Sequence, residues 1–236
     1  MYRYFFKRLI DIVLSLGGII VFALPMLIIA IAVKCDSKGP ALFKTQRVGK
    51  NCKSFNFYKF RSMYMDAEER KKELLAQNKM NGSLMFKLDF DPRIIGNKIL
   101  PDGTRKTGIG QFIRDTSIDE FPQFFNVLKG DMSLVGPRPE LLLYTNAYTE
   151  EQQCIMWVRP GITDRSSIVY IAQDEIVGTE NPVENYEKYI LPEKNRLRVE
   201  YAMNQSFMLD MGLFFETIGG VFGKAKKMAE EKGKKA

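Results

Sequence analysis

The chain of 236 residues contains no histidine, a single tryptophan and only three cysteines. Without histidine there is no Ser-His-Asp triad and no imidazole acid–base chemistry, and most zinc sites lose their usual ligand. Cys35, Cys52 and Cys154 are odd in number and widely spaced, with no pair at metal-ligand spacing. They indicate a reduced compartment rather than a disulfide framework. Acid–base work at neutral pH falls to a carboxylate, Lys, Tyr, Cys or the substrate itself. Internal repeats are lacking, and no nucleic-acid-binding motif is visible, so no specific nucleic-acid partner is expected.

What the chain has in excess is positive charge, with 35 Lys and Arg against 28 Asp and Glu. Much of it sits at the ends, in Arg3, Lys7 and Arg8 and in the Lys-rich tail from Lys224 to Lys235. Basic flanks beside apolar segments suit an anionic lipid surface. The run from Ile12 to Val33 carries no charge and is long enough to cross a bilayer. Pro25 lies inside it and Gly17-Gly18 weakens the helix further. Lys7 and Arg8 precede the run and Lys34 and Lys38 follow it, so the positive-inside rule gives no orientation. That pattern fits a segment with both ends on one side, kinked at Pro25, with two arms each short for a span. A single-pass anchor is the alternative. The run is too long for a cleaved signal peptide and lacks an evident cleavage site.

Phe55 to Met63 reads as an extended segment. In a strand, residues 55, 57, 59 and 61 share a face, so Lys59 and Arg61 project together. On pattern alone this is equally a solvated strand end. Asp66 to Lys79 is charged and helical in propensity, and Asn81-Gly82 ends it. Gly96 to Gly103 reads as a surface loop. Pro192 to Asn204 is helical, and Phe207 to Phe222 suits either a helix lying in a membrane interface or core packing. Trp157 fits the core or a membrane interface.

The richest stretch runs from Thr116 to Glu140. Ser117-x-x-Glu120 has the form of a capping box, which places Asp119 and Glu120 in a first helical turn. Pro122 disfavours α geometry at Phe121, so the helix is irregular there or begins later. Phe121, Phe124, Phe125 and Leu128 make an apolar face, and Lys129-Gly130 ends the helix. Taken alone, the acidic pair only complements a helix dipole. Arg138, fixed between Pro137 and Pro139, offers a phosphate-binding fork. Carboxylates beside phosphate-binding groups point to a divalent metal or to covalent phosphoryl chemistry.

The same stretch resembles the signature of the bacterial sugar transferases, monotopic polyprenol-phosphate phosphoglycosyl transferases. Their motif runs roughly Ser-Leu-Asp-Glu-Leu-x-Gln-x-x-Asn-Val-Leu-x-Gly-Asp-Met-Ser-x-Val-Gly-Pro-Arg-Pro. Ser117 to Pro139 matches it, with Ile118 and Phe121 in place of two leucines. Tyr58-Lys59-Phe60-Arg61-Ser62-Met63, Asp91-Pro92-Arg93-Ile94 and Arg159-Pro160-Gly161-Ile162-Thr163 extend the likeness, which reaches from Phe6-Lys7-Arg8 to Phe207-Met208-Leu209-Asp210. Two departures stand out. Leu24 precedes Pro25 where the family often has Ser, and Asp164 to Ile168 replaces a common Gly-Trp-Ala-Gln.

The resemblance implies an α+β, predominantly helical fold: an N-terminal re-entrant membrane helix (1–38), a cytoplasmic catalytic domain (39–205), and an interfacial helix with a Lys-rich tail (206–236). The length resembles the minimal catalytic form rather than relatives with a large multi-span domain. The implied reaction moves a sugar-1-phosphate from a UDP-sugar to polyprenol (undecaprenyl) phosphate at the inner membrane, initiating a surface polysaccharide or glycoconjugate. Asp119 is the implied nucleophile and Glu120 its partner, with Mg²⁺ held by both. Lys59, Arg61, Arg114, Arg138 and Arg159 are the implied phosphate-binding cations. Membrane lipids, and a second copy of the chain, are further partners. A Mg²⁺-dependent membrane phosphatase and a non-enzymatic scaffold of polysaccharide assembly are the rival readings.

Overall fold

A computed structural model describes residues 2–75, 78, 88–170, 176–177 and 181–233. Asn81-Gly82, expected to end a helix, lies outside them, as do Lys234 and Lys235.

The uncharged N-terminal run forms α1, Lys7–Asp36, preceded by a π-helical turn over Tyr2–Phe6. At 1.5 Å per residue, 30 residues span about 45 Å. Pro25 lies within α1 and the helix continues through it. The expected interruption is therefore a lost hydrogen bond to the preceding turn rather than a change of backbone state. α1 is long and apolar enough to cross a membrane. Its faces differ sharply. Lys7, Asp11, Ser15, Met26, Ile29 and Val33 are buried, whereas Leu9, Val13, Leu16, Ile20, Val21 and Leu24 are exposed.

The buried face opens with a polar stripe at i, i+4 and i+8, one side of a helix. Lys7 Nζ donates to Val135 O at 2.9 Å and to Asp210 at 2.5 Å. Asp11 accepts from Ser133 Oγ at 2.9 Å and from the Leu134 amide at 3.0 Å. Tyr201 Oη closes the network, its single hydrogen within reach of Asp210 Oδ1 at 2.7 Å and of Val135 O at 2.9 Å. The far half of the same face is apolar. Met26, Ile29 and Val33 pack in one cluster with Phe60, Ile95 and Ile113. Both ends of α1 thus rest on the same body.

That body is helical, and among its described residues the strands pair only in twos. β1 (Leu42–Val48) and β2 (Ser54–Phe60) form an antiparallel hairpin. Its turn carries Asn51 and Cys52 with φ of 56° and 58°, the left-handed region. The β2 alternation buries Phe55 and Phe57 in a core with Val127, Met132, Leu134, Tyr201 and Leu213. Helix α2 (Ala67–Leu74) follows. β3 (Lys98–Ile99) and β4 (Arg105–Lys106) make a small exposed hairpin where the surface loop was expected. Helices α3 (Ile109–Asp115) and α4 (Gln123–Lys129) then lead into β5 (Ser133–Val135).

β5 pairs in parallel with β6 (Gly161–Thr163). A Cβ at Gly161 would lie 2.1 Å from the Gly136 amide nitrogen, so only glycine permits this approach. Between these strands comes α5 (Leu142–Thr145), and after them α6 (Arg165–Val169), α7 (Pro182–Asn185), α8 (Leu191–Met203) and α9 (Phe207–Gly233). The Phe207 segment packs one face in the core: Asp210 and Leu213 are buried, while Met208 and Phe215 are exposed. Trp157 is 62% exposed, which excludes a core role.

Asp11→Ala strands the buried Ser133 hydroxyl and Leu134 amide without their acceptor. The expected cost is about 1–3 kcal/mol of stability. Leu16→Ala on the exposed face is expected to cost far less in detergent. Thermal unfolding of the two detergent-purified variants checks the difference.

Candidate active site

Asp119 and Glu120 sit in a single 3-10 turn, Ile118–Glu120, not in a regular helix. The expected capping box does not form. Ser117 adopts φ 57°, ψ 16° and its side chain makes no cap hydrogen bond. The physical reason lies in Pro122, which has no amide hydrogen and serves as the cap residue of α4, so the regular helix starts only at Gln123. Phe121 takes right-handed helical geometry despite the proline after it. Its ring is held by Phe22 of α1, with centroids 4.4 Å apart. The turn is thereby pressed between α1 and β2.

The cations converge on Glu120. Lys59 Nζ donates to Glu120 Oε1 at 2.8 Å and to Asp119 Oδ2 at 3.3 Å. Arg138 grips Glu120 with both terminal nitrogens, Nη1 to Oε2 at 3.1 Å and Nη2 to Oε1. Such a bidentate pair fixes geometry as well as charge. Arg138 Nη1 also donates to Ile162 O at 2.9 Å. Burial alone would raise the Glu120 pKa, yet the Arg138 and Lys59 charges outweigh it and hold Glu120 down to about 2. Asp119 moves the other way. Burial lifts it above the ordinary 3.8, Lys59 offsets part of this, and the Glu120 charge adds to it. Two neighbouring carboxylates with pKa values pushed apart is the pattern of distinct chemical roles.

The pair also divides two cavities. Asp119 lines one of about 270 Å³ together with Lys59, Arg61, Ser62, Tyr64 and Arg114. Glu120 and Arg138 line another of about 330 Å³, with Phe121, Phe124, Ile162 and Ile168 and with Glu216 and Thr217 of α9. The first is rich in cations, the second mainly apolar.

Of the five cations expected to bind phosphate, four stand at this pair or its cleft. Lys59 and Arg138 touch it, and Arg114, bonded to Ser62 Oγ at 3.5 Å, lines the Asp119 cavity with Arg61. Arg61 and Arg159 are also committed to backbone carbonyls. Arg61 is 3% exposed and donates to Pro40 O at 2.7 Å and to Ser37 O at 3.0 Å, so it pins the turn after α1 although it borders the cleft. Arg159 donates Nε to Gly130 O at 2.9 Å. It precedes β6 and reaches back to the C-terminal end of α4, whereas Arg138 follows β5 and turns toward Glu120. It lines neither cavity of the carboxylate pair.

Sequence reading missed the support beneath Arg138. Asp164 accepts from the Arg138 amide at 3.2 Å, from Ser166 Oγ at 2.6 Å and from the Ser167 amide at 2.7 Å. Burial raises its pKa, but Arg198 and the two serines lower it below the ordinary value on balance. Arg198, 3% exposed, pairs with Glu140 at 2.6 Å and lies 3.6 Å from Asp164. Asp164-x-x-Ser167 carries a readable helix-cap signal. Arg198, one charge among many on α8, carries none.

The chain's sequence places it among the bacterial sugar transferases. The sequence model of that family matches residues 2–224, and the chain is a member of it. Among similar curated proteins, the galactosyl transferase CpsE of Streptococcus agalactiae is 47% identical over 66% of this chain and 32% of its own. The undecaprenyl-phosphate galactose phosphotransferase of Salmonella typhimurium is 43% identical over 67% of this chain and 31% of its own. The chain thus spans about a third of the length of these two relatives. The exopolysaccharide production protein PSS of Rhizobium leguminosarum is 35% identical over 90% of this chain and 92% of its own.

Glu120 adds stability that is fully present above its unfolded pKa of about 4.5 and lost as pH falls through about 2. The size is of order 2–3 kcal/mol. Asp119 has the opposite sign, since a raised carboxyl favours the folded state only at low pH. Glu120→Gln is expected to lose that margin at neutral pH and to flatten the acid limb between the two values. Denaturant melts across the pH range read both effects.

Proposed function

We propose that the protein transfers a sugar-1-phosphate from a UDP-sugar to polyprenol phosphate, with Asp119 as the nucleophile. The observation that carries this is the split carboxylate pair. Glu120 is saturated by Arg138 and Lys59, while Asp119, with a raised pKa and only Lys59 as a hydrogen-bond partner among the described residues, faces a cation-lined cleft. Asp119 Oδ attacks the β-phosphorus of the donor; a P–O bond forms to the carboxylate and the bond to UMP breaks, releasing UMP. An oxygen of polyprenol phosphate then attacks the same phosphorus, and the carboxylate leaves unchanged. Splitting the transfer lets one phosphate site serve a soluble and a lipid substrate in turn. Relatives named as undecaprenyl-phosphate sugar phosphotransferases support the substrate classes.

In this reading Arg114 and Lys59 orient the donor phosphates, and Arg138 positions Glu120 so that Lys59 stays beside Asp119. Among the described residues no group of three His, Cys, Asp or Glu side chains stands ready to cage a metal. That suits magnesium, which needs one or two carboxylates and completes its shell with substrate phosphate and water. Because both Glu120 oxygens face cations, Asp119 is the better ligand of the two. When bound, the ion would offset the repulsion between a carboxylate and an anionic diphosphate.

The same reading places the cleft on the cytoplasmic face of the inner membrane, with α1 entering one leaflet and returning. Support comes from the two ends of α1, which both dock on the catalytic body: Lys7 and Asp11 on β5, and Val33 on Phe60 and Ile95. A helix crossing the bilayer would carry one end away from that body.

Detergent-purified protein with Mg²⁺ and undecaprenyl phosphate is expected to release UMP from one member of a UDP-sugar panel. Asp119→Asn should lower this at least about a thousandfold. Because Asp119 must be ionised to attack, the acid limb of kcat/KM should lie above the ordinary carboxylate value of 3.8. Unchanged turnover in Asp119→Asn would overturn the assignment, and phosphate release without lipid would favour a phosphatase.

A further inference from the structure

On another part of the body lies a second concentration of cations that the transfer reaction leaves unused. Arg159 and Lys50 line two adjoining cavities at once. One, of about 160 Å³, opens between them and Arg3, Arg8 and Trp157. The other, of about 320 Å³, opens toward Lys53 and Ser54.

Several of these charges lack an anion. Lys50 and Lys53 are exposed, and their side chains make no hydrogen bond or ion pair to a described residue. Arg159 spends Nε on Gly130 O, and its terminal nitrogens meet no carboxylate among the described residues. Arg8 is committed to the Val127 and Leu128 carbonyls, at 2.5 and 2.9 Å, and so brings charge without neutralisation. The nearby carboxylates are engaged elsewhere, Asp11 by Ser133 and Leu134, and Asp131 by Asn126 and Lys129.

The rim tells what kind of anion. Tyr4, 87% exposed, borders the smaller cavity from the turn before α1, and Trp157, 62% exposed, borders it from the body. Aromatic rings beside cations mark the headgroup level of a bilayer. A freely diffusing phosphate needs no such collar, but a lipid with acyl chains does.

We propose that Lys50 and Arg159 form a headgroup site for an anionic phospholipid, separate from the carboxylate pair. It rests on the membrane embedding of α1 proposed above, but not on the transfer chemistry. Its consequence is mechanical. A lipid phosphate held here would tie the β1–β2 turn, the end of α4 and the start of α1 to one leaflet surface. That fixes the height of the Asp119 cleft above the membrane.

The test is retention of phosphatidylglycerol against phosphatidylcholine by the full-length, detergent-purified protein, read by native mass spectrometry. The wild type should retain phosphatidylglycerol preferentially. Lys50→Glu, at an exposed position, should weaken retention by at least about fivefold, the size of one basic residue near an anionic surface. Arg159→Gln should act in the same direction, and unchanged melting of Lys50→Glu excludes misfolding as the cause. Asp119→Asn should retain the lipid normally, which separates this site from catalysis. Equal retention of both lipids by the wild type would overturn the proposal. So would loss of retention in Asp119→Asn, or complete competition by millimolar inorganic phosphate.

Discussion

The grip of Arg138 and Lys59 on Glu120 is the interaction on which the site depends. It joins three segments far apart in sequence: the end of β2, the 3-10 turn before α4, and the Pro-Arg-Pro loop after β5. None of these is long or regular enough to hold its side chain in place alone. A half-buried carboxylate facing two cations is costly to break, because removing one partner leaves charge partly uncompensated. The geometry is therefore well defined, and Asp119 inherits its position as the neighbour on the same tight turn. The glycine pair Gly136 and Gly161 makes the loop possible by letting the backbones approach within van der Waals limits that no Cβ would allow.

A second layer of charge stands behind the first. Asp164 takes the Arg138 amide, Arg198 neutralises Asp164, and Glu140 answers Arg198. The sequence between Asp164 and Ile168 departs from the commoner family pattern, yet the departure supplies the cap that braces the Pro-Arg-Pro loop.

α1 docks on the rest of the body through chemistry of two kinds. Its first turns spend Lys7 and Asp11 on it, and its last turns spend Met26, Ile29 and Val33. Buried polar partners need defined geometry, whereas apolar packing tolerates small shifts, so the polar half sets the register and the apolar half follows. Phe22, between the two, carries that register to Phe121 beside the carboxylates. One helix face and one aromatic contact thus link α1 to the Asp119–Glu120 turn.

Much of this was legible in the sequence: the apolar run, the alternation that buries Phe55 and Phe57, the late start of α4 forced by Pro122, the carboxylate pair, and the clamp at Arg138. These are local properties, written in spacing, proline constraint and charge within a few residues. What the tertiary structure alone decided is which charges meet. Five cations were phosphate candidates on paper, with Arg138 foremost, but Arg61 turned inward to the Ser37 and Pro40 carbonyls and Arg159 to the end of α4. Lys7, Asp11, Asp210 and Arg198, with no motif to mark the set, became a buried scaffold. A long charged side chain can reach partners in any direction several ångströms from its backbone. Its partner is therefore set by how distant segments pack, and no spacing along the chain encodes that.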